Sequence, residues 1–275
     1  MIEKLSSIAL PSQHLRLKHC RHGVMLYSGR DEYVGGSLDR YGEFSELEAN
    51  HFADLIKPGM MVLEIGANIG AHTVHLAKLV GENGRVVAFE AQRVIFQMLC
   101  ANLALNGIEN THVKCLAVGA VAGEIMVPRV DYRAHNNFGA ISLGGDDGDV
   151  VEMIAIDNLN LPACHMIKID VEGMEKEVLD GARQTITRFR PYLYVENDRP
   201  DKHAELISAL LDLDYRILWH MPWLYNPANF AGNSDNIFPG LASFNLICLP
   251  REAVSDDFEG RDEVKSAAEP HPFQR

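Results

Sequence analysis

The sequence predicts an α/β protein built on a doubly wound, mostly parallel β-sheet. From residue 60 onward, strand-like apolar runs alternate with helical patterns of 10–16 residues, which is the order of βαβ units. Runs such as residues 61–65 are almost wholly apolar, as expected for strands covered on both faces. Polar residues end four of these strands, at Glu64, Glu90, Asp170 and Glu196. Because ligands of such sheets lie beyond the carboxyl ends of the strands, these residues mark the candidate site.

The predicted elements follow one another without an internal repeat. We expect core strands at residues 61–65, 85–90, 112–118, 166–170, 192–197, 215–220 and 243–249, with edge strands at 123–127 and 150–156. We expect helices at residues 45–56, 71–80, 94–107, 174–189 and 203–214. The first helix begins at Ser45, a favourable N-cap residue, with Glu48 in capping-box position.

Two segments depart from this alternation. Residues 1–45 alternate polar and apolar side chains between turns at Gly23, Ser28–Gly29 and Gly35–Gly36, which predicts a small strand-rich N-terminal cap. Residues 251–275 contain seven acidic and four basic residues without apolar periodicity, which predicts a disordered acidic tail. The main domain is therefore expected at residues 46–250.

The composition excludes several classes of function. The 25 Lys and Arg residues against 38 Asp and Glu residues give a net charge of −13, which argues against binding nucleic acid or an anionic membrane. The sequence has neither an apolar run of about 18 residues, as a membrane span needs, nor a signal-peptide pattern. Its five scattered cysteines form no CxxC pair, which indicates reduced thiols in a cytoplasmic protein.

The loop Gly66–Gly70 follows a strand and opens a helix, so a ligand can approach its backbone closely. A phosphate-binding P-loop would require Gly-Lys-Ser/Thr, but Ala71 follows the last glycine. A dinucleotide fingerprint would require a middle glycine where this loop has Asn68. The third class is S-adenosylmethionine (SAM), whose ribose hydroxyls could bind Glu90 at the end of the next strand. A tight turn and an ordinary strand-end acid remain the alternative at this point.

Five segments carry a family resemblance: VLEIGANIGAHTVHLA, GRVVAFEAQ, ANLALNG, MIKIDVEGMEKEVLDGA and RPYLYVEND. In order and spacing they resemble the FkbM family of SAM-dependent methyltransferases, from about residue 42 to residue 250. The pairing of GANIG with IKIDVEGMEKEVL is the most specific feature. The resemblance implies a class I methyltransferase (Rossmann-like) fold, typically a seven-stranded sheet whose last strand is antiparallel. It also implies methylation of hydroxyls, often on sugars or polyketide-type natural products.

The resemblance implies cofactor contacts at Glu64, Gly66, Asn68, Gly70 and Glu90. To these we add Ala67, Thr73, Ala91, Asn102, Val118 and Asp170 as further predicted SAM contacts. Many relatives carry Asp at the position of Glu64, which is a conservative difference. The resemblance is weakest in the first 40 residues and in the acceptor loops, where the choice of acceptor would be encoded.

Four residues are predicted to take part in catalysis. Asp170 ends the fourth strand beside the position of the transferable methyl group in this fold, and Lys168 lies two residues back on the same face. Glu196 completes an apolar strand, where an acid is costly unless it is paired. His220 could act as a general base, although a lone histidine at a strand end is more often structural.

Two loops, residues 128–145 and 219–238, are predicted to bind the acceptor. Their aromatic and amide groups suit stacking on a ring and hydrogen bonding to hydroxyls. The predicted acceptor contacts are Asn137, Phe138, Glu172, Asn197, Trp219 and Asn229. Glu172 has an alternative interpretation as an acid that stabilises a helix N-terminus.

We therefore expect an O-methyltransferase for a small-molecule or glycosidic hydroxyl, which attacks the sulfonium methyl group in line. N-methylation of an amine or peptide, and a cofactor-binding module without catalysis, remain alternatives; Asp170 and Glu196 argue against the second. Those two residues and Asn197 resemble the magnesium ligands of catechol-type O-methyltransferases, so a divalent metal is a further candidate cofactor. Carboxylates acting without metal are the preferred hypothesis, and a homodimer is a further expectation.

Overall fold

The structure is a computed structural model that describes residues 8–10, 12–253 and 260–274. Its N-terminal part is a three-stranded antiparallel sheet followed by two helices. These elements are β1 (Ile8–Ala9), β2 (Leu15–Cys20), β3 (Gly23–Ser28), α1 (Val34–Tyr41) and α2 (Glu46–Leu55). Gly35–Gly36, predicted as a turn, instead lies in α1. A Cβ atom on Gly35 would lie 2.1 Å from the Ser28 carbonyl oxygen, so the glycine allows the helix to pack against the end of β3.

The main sheet contains eight strands: β4 (Met61–Ile65), β5 (Arg85–Phe89), β6 (Thr111–Lys114), β10 (Met166–Ile169), β11 (Tyr192–Glu196), β12 (Tyr215–His220), β13 (Asn245–Pro250) and β14 (Glu263–Val264). Their order across the sheet is β14-β12-β13-β11-β10-β4-β5-β6. The five strands from β11 to β6 are parallel, whereas β13 is antiparallel to both of its neighbours. The sheet is thus mixed, and the expected seven strands become eight because β14 pairs with β12.

The predicted third strand divides between two sheets. Residues 111–114 form β6 of the main sheet, whereas β7 (Ala117–Val118) pairs with β9 (Asp149–Ile154). β8 (Gly123–Val127) completes this second sheet, in the order β7-β9-β8. The two predicted edge strands therefore form a small sheet of their own.

Helices cover both faces of the main sheet. They are α3 (Ala71–Val80), α4 (Arg93–Leu105), α5 (Glu175–Asp180), α6 (Arg183–Phe189) and α7 (His203–Asp212). The single helix predicted over 174–189 is broken at Gly181, where a Cβ atom would lie 2.1 Å from the Gly119 carbonyl oxygen. The Asp157 carboxylate accepts the backbone N–H groups of Gln184 and Thr185, which stabilises the start of α6.

The N-terminal segment shares a core with the main domain. Met25, Tyr27 and Leu38 are buried in the same apolar cluster as Val62 of β4 and Val74 of α3. Residues 1–45 were predicted as a cap, and their described part packs directly on the domain. No helix among the described residues is both long enough and apolar enough to cross a membrane.

The tail was predicted to be disordered, but its described part is packed against the domain. Val264 of β14 is buried beside Ile217 of β12, and His271 is 0% exposed. His271 Nε2 donates a hydrogen bond of 2.7 Å to the Asn197 carbonyl oxygen. The predicted tail thus includes a docked segment, residues 260–274, while residues 254–259 lie outside the described residues.

Candidate active site

Two adjoining cavities lie at the carboxyl ends of the parallel strands. The first, which we call the apolar cavity, has an empty volume of about 470 Å³ and is lined by residues such as Phe89, Ala91, Val118 and Leu143. The second, the acidic cavity, has about 820 Å³ and is lined by residues such as Glu64, Asn68, Lys168 and Glu196. The walls that they share are Gly66, Glu90, Gln92, Gly139, Asp170 and Glu172. The two cavities therefore form one continuous site.

The glycine loop brings its backbone against the neighbouring strand end. Gly66 has φ of +83°, and a Cβ atom there would lie 1.7 Å from the Asp170 carbonyl oxygen, so no other residue fits. The N–H groups of Gly66 and Ala67 both donate to the Phe89 carbonyl oxygen. Asn68 adopts the left-handed conformation, with φ of +51°. This turn joins the two strand ends that form the site.

Glu90 lies between the two cavities and is 7% exposed. Its Oε2 accepts the Asn68 N–H at 2.9 Å, and its Oε1 accepts the Gln92 N–H at 2.7 Å. Burial raises the pKa of Glu90 to about 7, against the lowering effect of these two hydrogen bonds. Each carboxylate oxygen keeps lone-pair capacity for a further donor, such as a ribose hydroxyl.

Lys168 provides a buried positive charge at the base of the acidic cavity. Its Nζ lies 2.7 Å from Asp170 Oδ2, and the side chain is almost fully enclosed. Burial alone would lower the pKa of Lys168, but the charges of Asp170, Glu64 and Glu48 raise it above its usual value. Burial raises the pKa of Glu64 to about 7, and its Oε2 has no hydrogen-bond partner among the described residues.

Asp170, Glu172 and Glu196 form a carboxylate cluster in which ligand oxygens from all three lie within 4.8 Å of one another. Glu172 accepts a hydrogen bond of 2.8 Å from Arg199 Nη2, and burial raises its pKa to about 8. Burial, and then the charges of Asp170 and Glu172, raise the pKa of Glu196 well above its usual value. Glu196 Oε2 is enclosed without a partner among the described residues. It is therefore the member of the cluster with capacity to bind or hold a proton.

The structure brings most of the predicted residues together in the two cavity walls. Those in the lining are Glu64, Gly66, Ala67, Asn68, Glu90, Ala91, Val118, Asn137, Lys168, Asp170, Glu172 and Glu196. Gly70, Thr73, Asn102, Phe138, Asn197, Trp219, His220 and Asn229 lie outside the lining.

Gly70, Thr73 and Asn102 lie at or behind the end of the glycine loop, away from the cavities. Gly70 precedes α3 with φ of +85°, and Thr73 is fully buried in that helix. Asn102 Nδ2 donates to the carbonyl oxygens of Ile69 and Leu26, so it ties the loop to the N-terminal hairpin. These three predicted cofactor contacts therefore lie outside the cavity lining.

Asn197 and Trp219 point to the opposite face of the sheet from the cavity. Asn197 Nδ2 donates to His203 Nδ1, and the Trp219 ring stacks on the His203 ring at 5.7 Å. Both are buried under the docked tail. The predicted metal ligands Asp170, Glu196 and Asn197 are therefore not brought together, because Asn197 faces away; Glu172 takes the third position of the cluster.

Three further predicted residues have structural partners. Phe138 is buried in the core, and its carbonyl oxygen accepts Gln92 Nε2. Asn229 makes hydrogen bonds through Nδ2 and Oδ1 to the backbone of Asn233, which close the surface loop. His220 Nδ1 is hydrogen bonded to the Tyr194 hydroxyl at 2.9 Å, and burial lowers the pKa of His220 to about 4.

Sequence reasoning missed the opposite wall of the acidic cavity. The missed lining residues are Tyr33, Val34, Phe44, Ala71, His72, Gln92, Gly139, Leu224 and Ser243. Three of these belong to the N-terminal segment, whose contact with the sheet edge has no local signal in the sequence. Glu48, predicted as a capping residue, is bonded to the Ser45 hydroxyl and buried within reach of the Lys168 charge. The sequence indicates only the capping-box spacing of Glu48 from Ser45, and not its position near Lys168.

The fold and the site together define an α/β protein with a ligand cavity at the carboxyl edge of its sheet. Residues 64–217, more than half of the chain, match the family model described as the methyltransferase FkbM domain. No curated protein is matched by this sequence. The chain belongs to the FkbM methyltransferase family, whose cofactor is SAM.

Several solved structures are similar to this chain. A methyltransferase FkbM from Methylobacillus flagellatus KT is 18% identical with a TM-score of 0.48, and the match covers 74% of this chain and 50% of that chain. A SAM-dependent O-methyltransferase from Thermotoga maritima is 17% identical with a TM-score of 0.42, and the match covers 77% of this chain and 66% of that chain. Fibrillarin from Aeropyrum pernix, solved with natively bound S-adenosyl-L-methionine, is 12% identical with a TM-score of 0.43, and the match covers 90% of this chain and 100% of that chain. The chain spans about half the length of the M. flagellatus protein, and the family assignment rests on the family model alone.

Proposed function

We propose that this chain is a SAM-dependent O-methyltransferase that acts on a hydroxyl of a sugar or another small natural product. The charge of the cavity lining carries the proposal. Five carboxyl groups line the two cavities, at Glu64, Glu90, Asp170, Glu172 and Glu196. Within the described lining, Lys168 is the one Lys or Arg side chain. The sulfonium and ammonium charges of SAM would favour the ionised forms of these carboxyl groups and be attracted to them, whereas the pyrophosphate of a dinucleotide would be repelled.

The two cavities suit the two parts of this cofactor. The apolar cavity, with Phe89, Val118 and Leu143, offers apolar surface to an adenine ring. Glu90, at the boundary, has an acceptor lone pair on each oxygen for the ribose hydroxyls. The amino acid end of SAM would then lie in the acidic cavity beside Glu64, whose Oε2 has no hydrogen-bond partner in the described part of the chain.

The carboxylate cluster suits an acceptor that must lose a proton. In the proposed reaction the hydroxyl oxygen forms a bond to the methyl carbon, the carbon–sulfur bond breaks, and the proton passes to Glu196. The sulfonium charge favours the ionised form of Glu196 before transfer. After transfer the sulfur is neutral, so the high pKa of Glu196 then favours the protonated form. The net charge of the reacting groups therefore does not change during the reaction.

The other wall of the acidic cavity suits a small acceptor with hydroxyl groups. Tyr33 and Phe44 offer aromatic faces, and Asn137 and Ser243 offer hydrogen-bonding groups. An amine acceptor is the second candidate, because the same acids would attract an ammonium group. A binding module without catalysis is disfavoured by Glu196 Oε2, which is enclosed and has no hydrogen-bond partner among the residues that the structure describes.

We propose that the carboxylates act without a metal ion. Asp170 is paired with Lys168 at 2.7 Å and Glu172 with Arg199 at 2.8 Å, so two of the three groups already hold a cationic side chain. Oxygen ligands of this type would otherwise suit magnesium or manganese. Turnover in excess EDTA should therefore equal turnover with added magnesium, and loss of activity that magnesium restores would establish a metal site instead.

The proposed function is tested by incubating the protein with a metabolite extract and SAM labelled in its methyl carbon. We expect a small molecule to gain the label on oxygen, identified from its mass and carbon chemical shift. Glu196→Gln should lose this transfer while it keeps cofactor binding, and the exposed acid control Glu82→Gln should keep both. Label on nitrogen would support the amine acceptor, and cofactor binding without any labelled product would contradict the proposed function.

A further inference from the structure

Three polar side chains stand in one row across the antiparallel side of the sheet. Glu196 of β11 lies opposite Asn245 of β13, which in turn lies opposite His220 of β12. Residues directly opposite each other in antiparallel strands direct their side chains to the same face of the sheet. Asn245 therefore shares the face of Glu196, which lines the acidic cavity.

Asn245 adjoins the acidic cavity, although it is not itself one of the lining residues. Ser243, two residues earlier in the chain, also lines the acidic cavity. Asn245 thus lies between two lining residues, Glu196 across the sheet and Ser243 along its own segment. It is 5% exposed, so its amide is removed from bulk water.

Two atoms of this row lack hydrogen-bond partners among the described residues. They are Nδ2 of Asn245, a donor, and Oε2 of Glu196, an acceptor when ionised. Buried polar groups in folded proteins are almost always hydrogen bonded, so each orphaned group requires an explanation. Because one is a donor and the other an acceptor, and both belong to adjacent side chains, a single ligand group can satisfy both.

We propose that Asn245 binds the oxygen of the methyl acceptor and makes the site specific for a hydroxyl; this rests on the proposed function. The Asn245 amide donates to a lone pair of the hydroxyl oxygen, and the hydroxyl proton is donated to Glu196 Oε2. The remaining lone pair of the oxygen attacks the methyl carbon. As the new carbon–oxygen bond forms and the carbon–sulfur bond breaks, the proton passes to Glu196.

The pair of groups distinguishes a hydroxyl from an ammonium group. An ammonium group has three donors and no acceptor lone pair, so it would leave the Asn245 amide unsatisfied. A site built to hydrogen-bond one group rejects an analogue that leaves a buried polar group unpaired. Asn245 thus supplies the discrimination that the acidic lining, which attracts cations, does not provide.

The test compares wild type with Asn245→Asp, which keeps the shape of the side chain but replaces the donor with an acceptor. The probes are glycerol and 2-aminoethanol, the second of which carries both a hydroxyl and an amine, together with the metabolite extract. We expect wild type to methylate oxygen in each probe. Asn245→Asp should lower kcat/KM by about ten- to a hundredfold, with the Kd for SAM unchanged. Its melting temperature should fall, because the new carboxyl group is buried opposite Glu196, so turnover is measured well below that temperature. The exposed control Asn158→Asp should behave as wild type.

The possible failures are distinguishable. If wild type methylates hydroxyls and Asn245→Asp does so with the same kcat/KM, the role of Asn245 is overturned and the proposed function stands. If wild type methylates the nitrogen of 2-aminoethanol, the specificity for hydroxyls is overturned. If wild type binds SAM but transfers its methyl group to no probe and to no component of the extract, the proposed function fails, and the inference fails with it. If Asn245→Asp does not fold, Asn245→Ala, which also removes the donor, replaces it with the same expected loss.

Discussion

Replacement of Glu90 by glutamine tests the cofactor site at a single pair of atoms. In the wild type each carboxylate oxygen accepts one backbone N–H, from Asn68 or from Gln92, and keeps a lone pair for a ligand. Glutamine replaces one oxygen with an NH₂ group, which cannot accept either hydrogen bond. Glu90→Gln therefore loses one acceptor for a ribose hydroxyl and leaves one backbone N–H unpaired.

The expected cost to cofactor binding follows from the lost charged hydrogen bond. A hydrogen bond to a charged group contributes about 1.5–3 kcal/mol. SAM should therefore bind Glu90→Gln about ten- to a hundredfold more weakly than wild type. Glu90→Ala, which removes both acceptors, should lose about a hundredfold or more. Stability of the ligand-free protein should change little, because the buried carboxylate, with its pKa raised to about 7, is itself destabilising when ionised.

Isothermal titration calorimetry with SAM measures this effect, and thermal unfolding checks the fold. Glu82→Gln is the matched control, since Glu82 is an exposed glutamate in the turn after α3. It should bind SAM as wild type does. An unchanged Kd for folded Glu90→Gln would refute the assignment of Glu90 to the ribose.

Three further outcomes follow from the structure. Gly66→Ala should abolish detectable SAM binding, because its Cβ atom would lie 1.7 Å from the Asp170 carbonyl oxygen; retained binding by calorimetry would contradict the loop geometry. Deletion of residues 260–275 should lower the melting temperature by about 5–10 °C, since Val264 and His271 lose their buried positions, whereas a shift of a degree or less would contradict the docking. Burial raises the pKa of Glu90 to about 7, so the folded ligand-free chain holds a proton that the unfolded chain releases near 4.5. The contribution of Glu90 to the free energy of unfolding should therefore fall as the pH rises from 4.5 through 7, which denaturant unfolding at several pH values measures. SAM binding should tighten over the same pH range, because more of Glu90 is ionised, and calorimetry measures this.

The strands and their polar ends could be predicted from sequence because their signal is local. The apolar run of β4 is followed directly by the glycine loop, and the acid that follows β5 lies 20 residues beyond Gly70, at the end of the next apolar run. Their meeting at one edge follows from the general geometry of parallel sheets. These features are sufficient to place Glu64, Gly66 and Glu90 in one site.

Neighbouring residues at strand ends show where the prediction was incomplete. Glu196 and Asn197 are adjacent, and successive side chains in a strand point to opposite faces, so both cannot line one cavity. The same holds for Trp219 and His220. This alternation can be recognised in the sequence, and it excludes one residue of each pair from the cavity face.

The remaining errors concern contacts between distant parts of the chain. Tyr33 and Ser243 line one cavity although they are far apart in the sequence. β14 has only two residues, too few for a periodic pattern, and its position depends on the free edge of β12. Asn245 lies in an apolar strand, and the sequence does not show that it pairs with Glu196 across the sheet. Nor does the sequence show that its Nδ2 has no hydrogen-bond partner among the described residues.

The proposed function requires that the acidic cavity at the sheet edge bind a cationic nucleoside cofactor. Parallel calorimetric titrations with SAM and with NAD⁺ test it most directly, because both ligands share an adenosine group and differ in the charge that follows it. We expect saturable binding of one SAM per chain and no measurable binding of NAD⁺. Tighter binding of NAD⁺ than of SAM, or no binding of SAM by the folded protein, would contradict it.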